Sequence, residues 1–264
     1  MHVALTEILR CASCGEGLVL LSEVARGSRA IEGSLGCHGC GVRYPVRGGV
    51  ADLRPRRTPA ESAPGPGRAA VRPDPGGEDE PAPGGASDAG AERPPGSDAP
   101  RAGTPSADAD PRRAGPTDAA LRLGALLGLA DARGVVVLVA PEARHAGELA
   151  RLLPGLEIVT VDAAARGEDG GGGFERESRL LTRQDLPIAD RRVAGVALAT
   201  KSHVTLHEAV RVVAPGSRVV VTAAREDTAR ELERLGCRVL ADEAAVVVAE
   251  RLGAADPPRL YQLA

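Results

Sequence analysis

A chain of 264 residues with a formal net charge of −3 and 1% aromatic residues is long enough for one large domain or two smaller ones. Near-neutrality supplies no global field toward nucleic acid or an anionic membrane. Tyr44, Phe174 and Tyr261 are the only rings of the Phe, Tyr and Trp kind, too few for a groove that stacks bases.

Met1–Arg10 lacks a basic stretch followed by an apolar one, so no signal peptide is expected. The longest apolar runs, such as 135–140, are too short to cross a bilayer. The basic residues are arginine except for Lys201, alongside heavy Ala, Gly and Pro usage. Arginine clusters therefore read as compositional bias rather than as binding surfaces.

The first segment, 1–53, is compact and carries two CxxC pairs, Cys11/Cys14 and Cys37/Cys40. With no export signal expected, paired CxxC spacing favours metal over disulfides or a redox dithiol, and a cytoplasmic protein is the expectation. Each pair forms a knuckle that brings two thiolates to one point. Gly15 and Gly41, directly after the pairs, provide the permissive backbone such turns need. Four thiolates with no open position suit a structural zinc ion. A module of about fifty residues has little core of its own, so the metal supplies much of its folding free energy. His38 sits inside the second pair and is expected to face solvent, because four cysteines already complete the shell. Cys237 stands alone at the head of an apolar run and reads as a small buried hydrophobe.

Residues 54–117 are almost entirely Pro, Gly, Ala, Asp, Glu, Ser and Arg. Lacking large apolar groups, this stretch is predicted to be a disordered linker. Apolar periodicity returns in 118–264. Helices are predicted over 118–129, 142–153, 205–213 and 226–235. Strands are predicted over 134–140, 156–162, 178–182, 193–199, 218–223, 237–241 and 245–250, with a glycine-rich loop at 166–173. Alternating strands and helices imply an α/β fold with a parallel sheet. Only 242–244 separate the last two strands, so the seventh must run antiparallel. The expected architecture is a small β-rich zinc ribbon followed by a Rossmann-like, seven-stranded mixed sheet.

The residues around the cysteines carry a resemblance. LTEILRCASCGEGLVLL, CHGCGVRYPVRGGVADLRP and in particular Tyr44-Pro45-Val46-Arg47-Gly48-Gly49-Val50 resemble the small zinc-ribbon family that activates tRNA, rRNA and release-factor methyltransferases. The likeness covers 3–54. Ala12, Gly48 and Ala51 depart from the proline, aspartate and proline usual there. The resemblance implies a module that binds and stabilises a methyltransferase. The partner is then a methyltransferase, a translation component, or the chain's own second domain.

The second domain resembles the class I S-adenosylmethionine-dependent methyltransferase fold. Leu186-Pro187-Ile188-Ala189-Asp190 resembles that family's LPFPD stretch. Residues 207–217, with the strand after them, resemble its E-x-x-RVLKPGG helix and turn. Asp162 ends the second strand, where the family places an acid on the cofactor ribose. The cofactor loop is missing: alignment puts Val137 at the family's acid, and Val139, Pro141 and Ala143 at its three glycines. The acid of the third strand falls at Thr182. A β-branched residue, a proline and an alanine are poor substitutes for three glycines where backbone amides must approach a ligand, which argues against S-adenosylmethionine. His203 and His207 are four apart and could offer two metal ligands on one helix face, but with no third ligand they read as a polar helix start. Asp185 and Asp190 read as loop boundaries. The leading expectation is a non-catalytic interaction or regulatory protein. The alternative is an atypical methyltransferase with a built-in ribbon, Asp162 being its one cofactor-site residue.

Overall fold

The computed structural model describes residues 1–55, 117–129, 133–162 and 176–253. The predicted linker, apart from its ends, and the glycine-rich loop at 166–173 lie outside the described residues.

After a short 3-10 helix at Val3–Glu7, two hairpins build the ribbon. The first pairs β1 (Leu18–Arg26) with β2 (Arg29–Cys37), and the second pairs β3 (Arg43–Arg47) with β4 (Val50–Asp52). β1 carries a bulge around Glu23, where the pairing shifts between Ser22 and Ala25. Gly33 faces that irregularity with φ +153°, and a Cβ there would sit 2.3 Å from the Leu21 carbonyl oxygen. Only glycine fits at this close approach.

The second half alternates helix and strand as its periodicity requires. It consists of α1 (Asp118–Leu127), β5 (Gly134–Val139), α2 (Ala146–Leu152), β6 (Leu156–Asp162), β7 (Glu177–Leu181), β8 (Val193–Ala199), α3 (Leu206–Val212), β9 (Val213–Thr222), α4 (Thr228–Arg234), β10 (Cys237–Glu243) and β11 (Val246–Arg251). Here the sheet order is β7-β6-β5-β8-β9-β11-β10. β11 runs antiparallel to both neighbours, and the other pairings among β5 to β9 are parallel. Seven strands with an antiparallel last one are what the spacing of 242–244 implies.

The sheet does not stop at seven. β4 pairs in parallel with β7, so the ribbon's four strands continue it into an 11-stranded sheet. The described residues of both halves fall within one compact unit. Alternation along the strands feeds two cores. On one face Val136, Leu138, Ile158 and Val220 pack under α1 and α2. On the other, Val137, Val139, Val161, Val219 and Val247 join α3, α4 and the ribbon's Leu5, Ile8, Leu9, Leu35 and Tyr44 in one continuous cluster.

Local departures from the sequence reading are three. The helix predicted over 142–153 opens as a 3-10 turn at Glu142–His145 before α2 begins. The strand predicted from 218 begins at Val213, because Ala214–Ser217 is accommodated as an irregularity between the Val193–Val213 and Gly195–Arg218 pairs. His203 lies in the loop ahead of α3 and His207 on α3 itself, so the two histidines share no helix face. Among the described residues no helix is long and apolar enough to cross a membrane.

Candidate functional site

The two knuckles are built alike. Gly15 N–H donates to the Cys11 carbonyl and Gly41 N–H to that of Cys37, while the Cys11 and Cys37 amides donate to Glu16 and Val42. Gly15 and Gly41 hold φ of +79° and +74°, the left-handed backbone that closes each turn. The four sulfurs consequently converge, all lying within 4.8 Å of one another. Cys11 and Cys40 Sγ are 3.6 Å apart, and Cys14 and Cys37 Sγ 3.4 Å. These separations are far too long for disulfides and close to the ~3.8 Å edge of a tetrahedron with metal–sulfur bonds of about 2.3 Å. The donor set is positioned to bind a metal ion. Cys11 and Cys37 are buried, Cys14 and Cys40 exposed.

Burial acts to raise the Cys11 thiol, but hydrogen bonds with Tyr44 and from the Ser13 and Cys14 amides outweigh it and bring it down to about 6. Burial pushes the Tyr44 phenol up to about 12. His38 is solvent-facing and lies 3.7 Å from the Glu16 carboxylate, outside the sulfur cluster.

The ribbon also makes an extensive contact with the rest of the chain. Along the β4–β7 seam Val50, Ala51 and Asp52 face Arg179, Leu180 and Leu181, and Leu53 N–H donates to the Leu181 carbonyl. A second backbone seam crosses the sheet face. Leu9 bridges Ile188, Arg10 N–H donates to the Pro187 carbonyl, and Ala189 N–H to that of Ile8. Near the start of β7 a buried polar network joins the halves. The Arg29 guanidinium donates to Glu157 at 2.8 Å and to the Ser178 hydroxyl and Glu177 carbonyl, while Ser178 donates to Glu157. Glu157 is 2% exposed. No spacing rule could have found this pair, since 127 residues intervene.

The segment 186–190 is itself pinned to α3. Arg211 donates to both oxygens of Glu208, to Asp190 and to the Leu186 and Ile188 carbonyls, and the Leu186 amide donates to Glu208. Burial pushes the Glu208 carboxyl up, but those hydrogen bonds outweigh it and hold it below its ordinary value. Asp190 is thus an ion-pair partner as well as a loop boundary. A groove of about 480 Å³ runs between this segment and the first knuckle, lined by Arg10, Ser13, Asp185, Pro187, Asp190 and Glu208.

At the strand tips of the Rossmann-like half, Val139 is buried and followed by a cis Ala140–Pro141 bond. Glu142 comes next and is 5% exposed, its carboxylate accepting from the Thr222 hydroxyl at 2.7 Å with His145 3.9 Å away. Asp162 is buried at the tip of β6, and Thr182, buried just after β7, lies 3.4 Å from His203. Burial lowers the His203 ring, and the Asp162 charge acts against that. Asp162, Thr182 and His203 thus gather at one edge, and Glu142 takes a place the sequence reading had assigned to no functional group.

One family model and several solved structures are similar to parts of this chain. Residues 2–49 match the family described as Trm112p-like protein. No curated protein matches the chain. Among solved structures, the antibiotic-resistance methyltransferase Kmr is 16% identical over 51% of this chain and 93% of its own, with a TM-score of 0.36. Precorrin-6y C5,15-methyltransferase from Geobacter metallireducens GS-15 is 14% identical over 50% and 87%, with a TM-score of 0.37. Geranyl diphosphate methyltransferase, solved in complex with SAM, is 12% identical over 51% and 84%, with a TM-score of 0.42. The likeness to the Trm112p-like family is confined to the N-terminal ribbon, residues 2–49.

Proposed function

We propose that this protein is a zinc-binding, non-catalytic interaction protein in which a Trm112p-like ribbon stabilises a methyltransferase-like unit of its own chain. The observation that carries this reading is the parallel β4–β7 seam, with the Arg29–Glu157 pair buried beside it. The ribbon adds its strands to the free edge of the Rossmann-like sheet, and its four cysteines supply the donor set zinc favours. With that face of the ribbon occupied internally, a separate methyltransferase or translation component would have to dock elsewhere. Residues 1–53 and 118–264 are read as the two modules, 54–117 as the tether, and the cytoplasm as their compartment.

The strand tips support the non-catalytic half of the proposal. Where glycines would admit backbone amides to a cofactor, the chain has Val139 and Pro141. Behind them sits the buried Glu142 carboxylate, which would repel the carboxylate of S-adenosylmethionine in a low-dielectric site. The second reading, an atypical methyltransferase, rests on Asp162 at the tip of β6, beside Thr182 and His203. Titration calorimetry with S-adenosylmethionine separates the two. No heat of binding is expected; micromolar binding that disappears in Asp162→Ala would overturn the non-catalytic assignment.

A further inference from the structure

We infer that Tyr44 is a positioning residue of the metal centre, whose hydroxyl donates to the Cys11 sulfur and governs how tightly that thiolate holds the metal. The inference rests on the zinc reading of the four cysteines. Tyr44 is fully buried on β3, and its oxygen lies 3.3 Å from Cys11 Sγ and 3.2 Å from the Ser13 hydroxyl.

Four thiolates outweigh the charge of a divalent cation, so the site carries excess negative charge that donors must disperse. Water can serve the exposed Cys14 and Cys40. Cys11 is 3% exposed and depends on the protein. The donors that reach its sulfur are the Ser13 amide at 3.4 Å, the Cys14 amide and the Tyr44 hydroxyl, and of these only Tyr44 donates from a side chain.

Metal ligation fixes the direction of these bonds. A metal-bound thiolate has no proton and only accepts, so the phenol must donate to it. The phenol oxygen is then left to accept from the Ser13 hydroxyl, giving a directed chain from Ser13 through Tyr44 to Cys11. Packing alone would be satisfied by a phenylalanine ring in the same core. The hydroxyl is buried, and a buried hydroxyl without an acceptor is destabilising; the sulfur is the acceptor that accounts for it. Tyr44 also sits opposite Leu35 across the β2–β3 ladder, which holds the ring in place from a strand rather than a loop.

The test uses the full-length, zinc-loaded protein and Tyr44→Phe, which keeps the ring and removes the donor. Zinc transfer to 4-(2-pyridylazo)resorcinol is expected to show metal held about 10- to 100-fold less tightly. Ser13→Ala should shift it in the same direction by less. In the cobalt-substituted protein, the sulfur-to-metal charge-transfer band of Tyr44→Phe is expected at lower energy, because an unbonded thiolate is the better electron donor. A residue that merely packs would leave that band in place. Release at the wild-type rate with an unshifted band overturns the inference. If Tyr44→Phe fails to take up metal, Ser13→Ala decides: a smaller shift of the same sign supports the chain, and no shift overturns it. Wild-type protein purified under reducing conditions without zinc would instead overturn the metal reading on which this rests.

Discussion

Arg29 and Glu157 put a guanidinium and a carboxylate where water barely reaches, with side chains 14% and 2% exposed. Such a pair need not add net stability over a well-packed apolar one, but removing one partner strands the other. Arg29→Ala is therefore expected to destabilise the protein by about 3–5 kcal/mol in chemical denaturation. The double variant Arg29→Met with Glu157→Leu should recover most of that loss. Equal destabilisation in the single and double variants would show that the cost lies in lost packing rather than in a stranded charge. Ser178 and the Glu177 carbonyl share the network, so its role is to fix register between ribbon and β7 as much as to hold them together.

At the scale of elements, the segment 186–190 is held between α3 and the ribbon by the Glu208–Arg211 pair. Because the Glu208 carboxyl is depressed in the fold, its contribution is present above its unfolded value of 4.5 and is lost as pH falls through the lower folded value. Glu208→Gln is expected to lower stability by about 1–3 kcal/mol near pH 7. The difference from wild type should vanish at acid pH, as read from denaturation midpoints across a pH series. A gap that persists at low pH would assign the loss to shape rather than charge. Much of this level was legible beforehand. The β-branched runs at 134–139, 156–162 and 193–199 had to be buried strands, and the two CxxC pairs had to converge. The joins were not legible. β4 is three residues long, Ala51 and Val50 carry no sign of a parallel partner, and Leu9 meets Ile188 across about two-thirds of the chain's length. Glu142 also escaped notice, since a glutamate at a helix start ordinarily reads as a solvent-facing dipole partner. Its burial follows from Thr222, eighty positions away.

For the whole molecule, one apolar cluster runs from Leu5 and Tyr44 to Val247, and Cys11 directly follows the backbone seam at Leu9 and Arg10. Metal occupancy and the integrity of the Rossmann-like half should consequently be linked. Calorimetry of the zinc-loaded protein is expected to give one unfolding transition. Removing zinc with a chelator under reducing conditions should move that entire transition to lower temperature. Two transitions, with only the lower one sensitive to the chelator, would show that the halves unfold independently.

Adding the ribbon also changes which backbone the molecule leaves open to its neighbours. Without it, β7 would be a bare edge, a template for pairing with other chains. The ribbon covers that edge and makes β1 the new one. β1 is bulged at Glu23 and kept irregular by Gly33 behind it, and bulges and charges are the features that frustrate strand-on-strand growth. Besides stabilising the fold, the ribbon thus moves the open border from β7 to β1, where a bulge interrupts the ladder while Val19, Leu21 and Val24 lie exposed.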